Sequence, residues 1–136
     1  MKIKASVKYL VIAICTVLLC SCEIDVSIGP EDENSANNAL CQYGWYTNYT
    51  DFDDAHINHQ IKFYTNGEGK EIIIRSLFGQ ADSHEYFFNW YWVSDSYTSI
   101  CMEYGENDIS YLDHIFIQED ELTCVLNGEN LSFYGR

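Results

Sequence analysis

Residues 60–77 read QIKFYTNGEGKEIIIRSL. Two apolar-rich runs, 60–65 and 71–77, flank Asn66-Gly67-Glu68-Gly69. Both residues of an Asn-Gly pair tolerate positive φ, and between such runs the pair is the strongest short-range hairpin signal. The stretch predicts two antiparallel strands joined by a tight turn.

The pattern continues on both sides. WYTNYT (45–50) reads as a first strand, and EYFFNWYWV (85–93) is the most aromatic stretch. Residues 97–104 follow Ser94-Asp95-Ser96. Gly105-Glu106-Asn107 leads into 108–118, Glu119-Asp120 into 121–126, and Asn127-Gly128 into 131–134. No stretch of helical length shows a 3.6-residue period. About eight strands at regular spacing predict an all-β antiparallel up-and-down meander. Eight strands close into a small barrel without exposed edges; the alternative is a two-layer β-sandwich. The chain has 136 residues, room for one such domain, here 40–136.

The N-terminus is of another kind. Lys2, Lys4 and Lys8 precede the apolar run LVIAICTVLL (10–19), the layout of a secretory signal peptide. As a helix the run spans about 15 Å, half of a bilayer core of about 30 Å, too short for a permanent span. Leu19-Cys20-Ser21-Cys22 resembles the lipobox of bacterial lipoproteins. That resemblance implies removal of residues 1–21 and acylation of Cys22. Two or three chains on one cysteine would hold the protein on a membrane, since each buried CH2 adds about 0.8 kcal/mol. The alternative is a secreted protein cut near Ser21. Residues 22–39 are polar and acidic and contain Pro30, the one proline, so a flexible tether is expected. Acidic residues soon after a lipidated cysteine resemble the surface-export signal of Bacteroidota lipoproteins. This implies an anchor in the outer membrane of the cell envelope, displayed outward.

The net charge is −14. Beyond residue 22 only Lys62, Lys70, Arg75 and Arg136 oppose 21 acidic residues, a net of −17 side-chain charges. Such a surface repels nucleic acid and anionic lipid, whose binding needs Lys and Arg. Cationic, neutral or apolar partners remain. The 15% aromatic content argues against disorder.

Gly44-Trp45 on the first strand, Phe63-Tyr64 before Asn-Gly, Trp90 and Trp92 mid-chain and a final Leu-x-Phe resemble the lipocalin-like (calycin) domains of small Bacteroidota lipoproteins. Gly44 directly precedes Trp45, whereas lipocalins carry Gly-x-Trp. The resemblance implies a barrel that binds a small, mostly apolar molecule.

Tyr86, Phe88, Trp90 and Trp92 fall on one face of a strand and are the candidate ligand-binding row. A plain aromatic core is the bland reading of the same pattern. The opposite row, Phe87, Asn89, Tyr91 and Val93, offers a sugar or partner surface. Arg75 pairs with a nearby acid or with a ligand carboxylate. Asp51, Asp53 and Asp54 suggest a hard-cation site, but Ala55, His56 and Lys62 break the EF-hand pattern, which leaves a solvated turn. His56 and His59 fall on opposite faces if they lie on a strand, so no metal site is expected; His84 and His114 are isolated. Cys41, Cys101 and Cys124 are an odd set. A meander barrel brings its first strand beside its last, which favours a Cys41–Cys124 disulfide; three free thiols are the alternative.

Hydrolase, P-loop and dinucleotide motifs are missing, and scattered carboxylates such as Glu103 and Asp113 specify nothing. No cofactor and no catalytic residue are expected. The composite expectation is a lipid-anchored binding protein, not an enzyme, whose barrel holds a neutral or apolar small ligand. The alternative is an acidic protein-interaction or inhibitor module with a filled barrel and a cationic protein partner.

Overall fold

The computed structural model describes residues 29–136. The expected signal peptide (1–21) and Cys22 lie outside the described residues. Helix α1 (Glu33–Cys41) comes first. Eight strands follow: β1 (Gly44–Thr50), β2 (His56–Phe63), β3 (Glu68–Leu77), β4 (Gln80–Trp92), β5 (Ile100–Gly105), β6 (Asp108–Gln118), β7 (Glu121–Leu126) and β8 (Glu129–Gly135). Each pairs antiparallel with the next, and β8 returns to β1, so the meander is a closed up-and-down barrel rather than a sandwich.

Turn chemistry sets the registers. At Asn127-Gly128 both residues have positive φ, and Leu126 pairs directly with Glu129. This is the two-residue hairpin that the dipeptide predicts. Asn66-Gly67 behaves differently. Only Gly67 takes positive φ, Asn66 Oδ1 accepts from the Glu68 N–H at 3.0 Å, and the first strand pair is Phe63 with Gly69. The hairpin forms, but with a wider turn. A further hairpin lies where the sequence shows no turn signal. Phe78 and Gly79 both take positive φ, Leu77 pairs with Gln80, and β4 starts at Gln80 rather than near 85. A bulky residue in the left-handed region is rare, so Phe78 hides the turn.

The core follows the two-residue alternation. Trp45 on β1, Ile57, Ile61 and Phe63 on β2, Phe88 and Trp90 on β4, and Leu122, Cys124 and Leu126 on β7 face inward and are buried. β6 breaks the period. His114 has positive φ and the pairing shifts between Asp113 and Phe116, so Leu112 and Ile115, three apart, are both buried.

Two expectations need correction. Residues 33–39, expected in the flexible tether, are helical. Asp32 caps α1 by accepting from the Ser35 N–H at 2.7 Å, and Ala36 and Leu40, four apart, bury one stripe of the helix. Asn37 Oδ1 accepts from Trp92 Nε1 at 2.7 Å, and the Leu40 carbonyl accepts from Trp45 Nε1 at 2.8 Å. The helix thus plugs one end of the barrel through two apolar residues and two indole bonds, too few for a hydrophobic pattern to reveal. The Cys41–Cys124 disulfide does not form either, and all three thiols are free. They occupy three compartments. Cys41 ends the plug helix, Cys124 faces the lumen from the middle of β7, and Cys101, between Ile100 and Met102 on β5, faces outward. Closure brings β1 beside β8, but β7 stands one strand further on.

Leu40→Ala is expected to cost about 2–5 kcal/mol of stability, the range for truncating a fully buried leucine, measured by urea unfolding. A loss below about 0.5 kcal/mol, typical of surface sites, would mean that α1 is no part of the folded unit.

Candidate functional site

The barrel interior is layered. At the plugged end, Trp45, Phe63, Phe88 and Trp90 form an aromatic floor over Leu40. Phe63 meets Phe88 edge-on with centroids 5.6 Å apart and Trp90 at 5.7 Å. Gly69, the partner of Phe88, leaves room for its ring, because a Cβ there would lie 2.2 Å from it. Trp90 Nε1 donates to the Tyr64 and Glu68 carbonyls at 3.1 and 3.0 Å, so its polar edge is satisfied by the wall.

Above the floor sits a polar deck. His59 on β2 is only 2% exposed and Glu71 on β3 only 6%. His59 Nε2 lies 2.5 Å from Glu71 Oε1, and Tyr104 OH donates to Glu71 Oε2 at 2.7 Å. The β2–β3 register brings the first two together. His59 pairs with Ile73, and Glu71, two residues back, is its diagonal neighbour on the same face. Rings of Tyr49 and Phe133 flank His59 at 6.2 and 5.3 Å. Among the described residues, His59 Nδ1 is the one buried side-chain polar atom without a hydrogen-bond partner. Burial, reinforced by the Glu71 carboxylate, raises the Tyr104 phenol well above its ordinary range.

Beyond the deck the β3–β4 hairpin runs on past the end of β5. The β3–β4 register puts Tyr86, His84, Asp82 and Gln80 on the same face of β4 as Phe88 and Trp90, yet all four are exposed. Tyr86 stacks with His84 at 6.2 Å and meets Tyr104 edge-on at 6.3 Å. Arg75 braces this rim. Its Nε donates to Asp51 Oδ2 at 2.8 Å, and a terminal nitrogen donates to Asp53 Oδ2 at 3.0 Å. Asp51 Oδ1 also accepts from the Asp53 and Ala55 N–H groups. The Arg75 hydrogen bond and these backbone N–H groups hold the Asp51 carboxyl below the usual carboxylate range. The aspartate cluster is therefore a turn clamped by arginine.

The candidate row from the sequence is thus divided. Phe88 and Trp90 are floor, Tyr86 is rim, and half-buried Trp92 is committed to the helix plug. His59 is inward and buried, whereas His56, on the opposite face, is exposed. Sequence reading passed over the His59–Glu71–Tyr104 cluster. Its signal was there, two polar residues at core positions of adjacent strands, but it shows only once the hairpin register is fixed.

Outside, β4 and β5 pair only over Asn89–Trp92 and Ile100–Glu103, and β4 then runs on alone beside β3. A cleft of about 680 Å³ opens where they part, lined by Phe87, Asn89, Glu103, Tyr104 and Glu106 among others. Exposed Tyr91 and Tyr111 flank outward-facing Cys101 in register, with Glu103 and Ile109 alongside. The Tyr91 hydroxyl is pushed up to about 12, first by its contact with the Cys101 thiol. Among the described residues all four Lys and Arg side chains are engaged. Lys62 donates to the Cys41 and Tyr43 carbonyls, Lys70 pairs with Glu85, Arg75 clamps Asp51 and Asp53, and Arg136 lies over the Tyr46 ring.

Comparison with protein-family models, curated proteins and solved structures finds no match for the chain.

The raised Tyr104 phenol sets a direction with pH. A folded-state value above the unfolded one, about 10, contributes fully below pH 10 and is lost as pH rises from there. Stability is expected to fall above pH 10, and less steeply in Tyr104→Phe, as followed by thermal unfolding between pH 8 and 11. Equal slopes in the two proteins would mean that the deck does not hold the phenol neutral.

Proposed function

We propose that this chain is a lipid-anchored protein of the bacterial cell envelope whose small lipocalin-like barrel binds a neutral or apolar small molecule at its open end. One observation carries the reading. Along a single face of β4 the side chains pass from the buried floor, Phe88 and Trp90, to the exposed rim, Tyr86, His84, Asp82 and Gln80. A cup with an aromatic base and a few placed polar groups is the usual form of a small-molecule site. The charge pattern selects the ligand class. With every Lys and Arg among the described residues engaged and a large acidic excess, an anion finds no free partner there. The role is binding rather than catalysis, since the deck groups are tied to one another in the wall.

A second reading has its own support. On β4 the Trp90 N–H donates to the Gly67 carbonyl on the β3 side. Alternation then turns the backbone groups of Ala81, Ser83, Glu85 and Phe87 to the other side, where no strand pairs with them among the described residues. Acidic Glu85, Glu103 and Glu106 border that edge. It suits an extended cationic segment of a partner protein added as a further strand.

Native mass spectrometry of the full-length protein, extracted from the cell envelope, is expected to show a discrete extra mass that disappears on unfolding. A bare protein mass overturns the ligand reading in favour of the edge-strand partner. Cys22→Ala is expected to move the protein from the membrane to the soluble fraction on cell fractionation; retention in the membrane would remove the anchor from the proposal.

A further inference from the structure

We infer that the open edge of β4 takes up an extended peptide in which Lys or Arg alternates with β-branched or aromatic residues, the basic side chains on the outer face of the sheet and the apolar ones on its inner face. The inference rests on the edge-strand reading and names the kind of segment that the edge selects.

The edge exists because a neighbour turns away. On the β4–β5 register Asn89 stands opposite Glu103, so Phe87 would stand opposite Gly105. Instead the pairing of β5 shifts between Glu103 and Gly105, and Gly105 pairs with Asp108 on β6. The cleft opens at this point, and a Cβ on Gly105 would meet nothing within 4 Å. Residues 80–87 are all exposed. The N–H and C=O groups of Ala81, Ser83, Glu85 and Phe87 face the gap, while those of the residues between them are used by β3. A strand laid in the gap continues the line of β5 and takes up these groups. Main-chain hydrogen bonds then supply the binding, and alternate side chains supply the selection.

Alternation fixes what each guest side chain meets. Phe87 and Glu85 project outward with Asn89, whereas Tyr86 shares the face of Phe88 and Trp90. A guest residue opposite Phe87 therefore points outward beside Glu103 and Glu106, which line the cleft, and one opposite Glu85 lies next to that carboxylate. Among the described residues no cation pairs with Glu103 or Glu106, and Lys70 reaches Glu85 at 2.9 Å from the β3 side. The exposed Phe87 ring offers an apolar bed for the stem of a long basic side chain. The guest residue between these two points inward, where Tyr86 meets Tyr104 edge-on, so an apolar side chain suits that place.

Charge also decides what the edge refuses. Exposed edges are commonly guarded by charge against pairing with their own kind. Around the cleft the uncompensated guards share one sign. A second copy pairing β4 with β4 would bring Asp82 and Glu85 close to their own counterparts, which is unfavourable across strands. A segment bearing Lys or Arg meets the opposite field.

The test uses two dye-labelled peptides of equal composition and charge, Arg-Val-Arg-Val-Thr-Val-Thr and Arg-Arg-Val-Val-Thr-Val-Thr. Only the first can place both arginines on one face. Binding to the full-length protein in detergent is followed by fluorescence anisotropy at low salt. The alternating peptide is expected to bind about tenfold more tightly than its rearranged partner. Glu103→Gln/Glu106→Gln is expected to remove most of that preference. Ser83→Pro is expected to weaken both peptides about tenfold and to leave the thermal unfolding midpoint nearly unchanged, because the lost N–H faces the gap and not β3. Equal affinity for the two peptides, both weakened by Ser83→Pro, overturns the inferred pattern and leaves the edge reading standing. Binding that Ser83→Pro does not change, or no binding of either peptide, overturns the edge reading and the inference with it. A dimer of the protein alone that Ser83→Pro dissociates would make a second copy the occupant and overturns the inference too.

Discussion

The barrel wall closes on two register pairs, Trp45 with Gly135 and Tyr46 with Tyr134. Gly44 and Arg136 extend the seam by exchanging backbone hydrogen bonds at 3.1 and 3.0 Å. By contrast, β1 and β2 pair along the whole length of β1. Every interior feature depends on this short seam, because a sheet with a gap admits water to its inner face. Several groups reinforce it. Leu40 and Trp45 tie the plug helix to the first strand, and Lys62 binds the carbonyls of Cys41, the last residue of the helix, and of Tyr43 beyond it. A Cβ at Gly135 would lie 2.5 Å from the Tyr43 ring, so the glycine allows that ring to cover the seam.

Within that enclosure the polar deck is the unexpected element. Buried ion pairs contribute little net stability, and apolar replacements are often as stable. What the cluster supplies is orientation. Tyr104 and His59 approach the two oxygens of Glu71 from β5 and β2, so three strands fix one carboxyl group and, through it, the imidazole. The same arrangement holds the Tyr104 phenol in its neutral form.

β4 links the interior to the surface. Its inner face is floor at one end and rim at the other, and one backbone edge is unpaired beyond Asn89. Its outer side chains include Phe87, 66% exposed, and Tyr91. The acidity of the chain affects both aspects. Among the described residues it leaves no free Lys or Arg for an anionic ligand, and it sets a negative field around the open edge that falls off within about 10 Å at 0.1 M salt. A neutral guest inside and a cationic segment outside are compatible with the same charge distribution.

The sequence by itself determined the strand number, the antiparallel meander and much of the core, because two-residue alternation and turn dipeptides are local properties. Asn127-Gly128 set its register outright; Phe78-Gly79 did not, because nothing in a phenylalanine announces positive φ. Phe88 and Trp90 were legible as inward aromatics, but their division from Tyr86 depends on where β5 stops, which is a fact about another strand. Helix α1 was missed because its docking rests on Ala36, Leu40 and hydrogen bonds to indoles remote in sequence. The thiols stay apart for a related reason, since helix end, lumen and outer wall become distinct places only once the sheet curls. The His59–Glu71–Tyr104 deck was decided by tertiary structure alone. Its members come from three strands, which meet only once the sheet has curled and its registers are set.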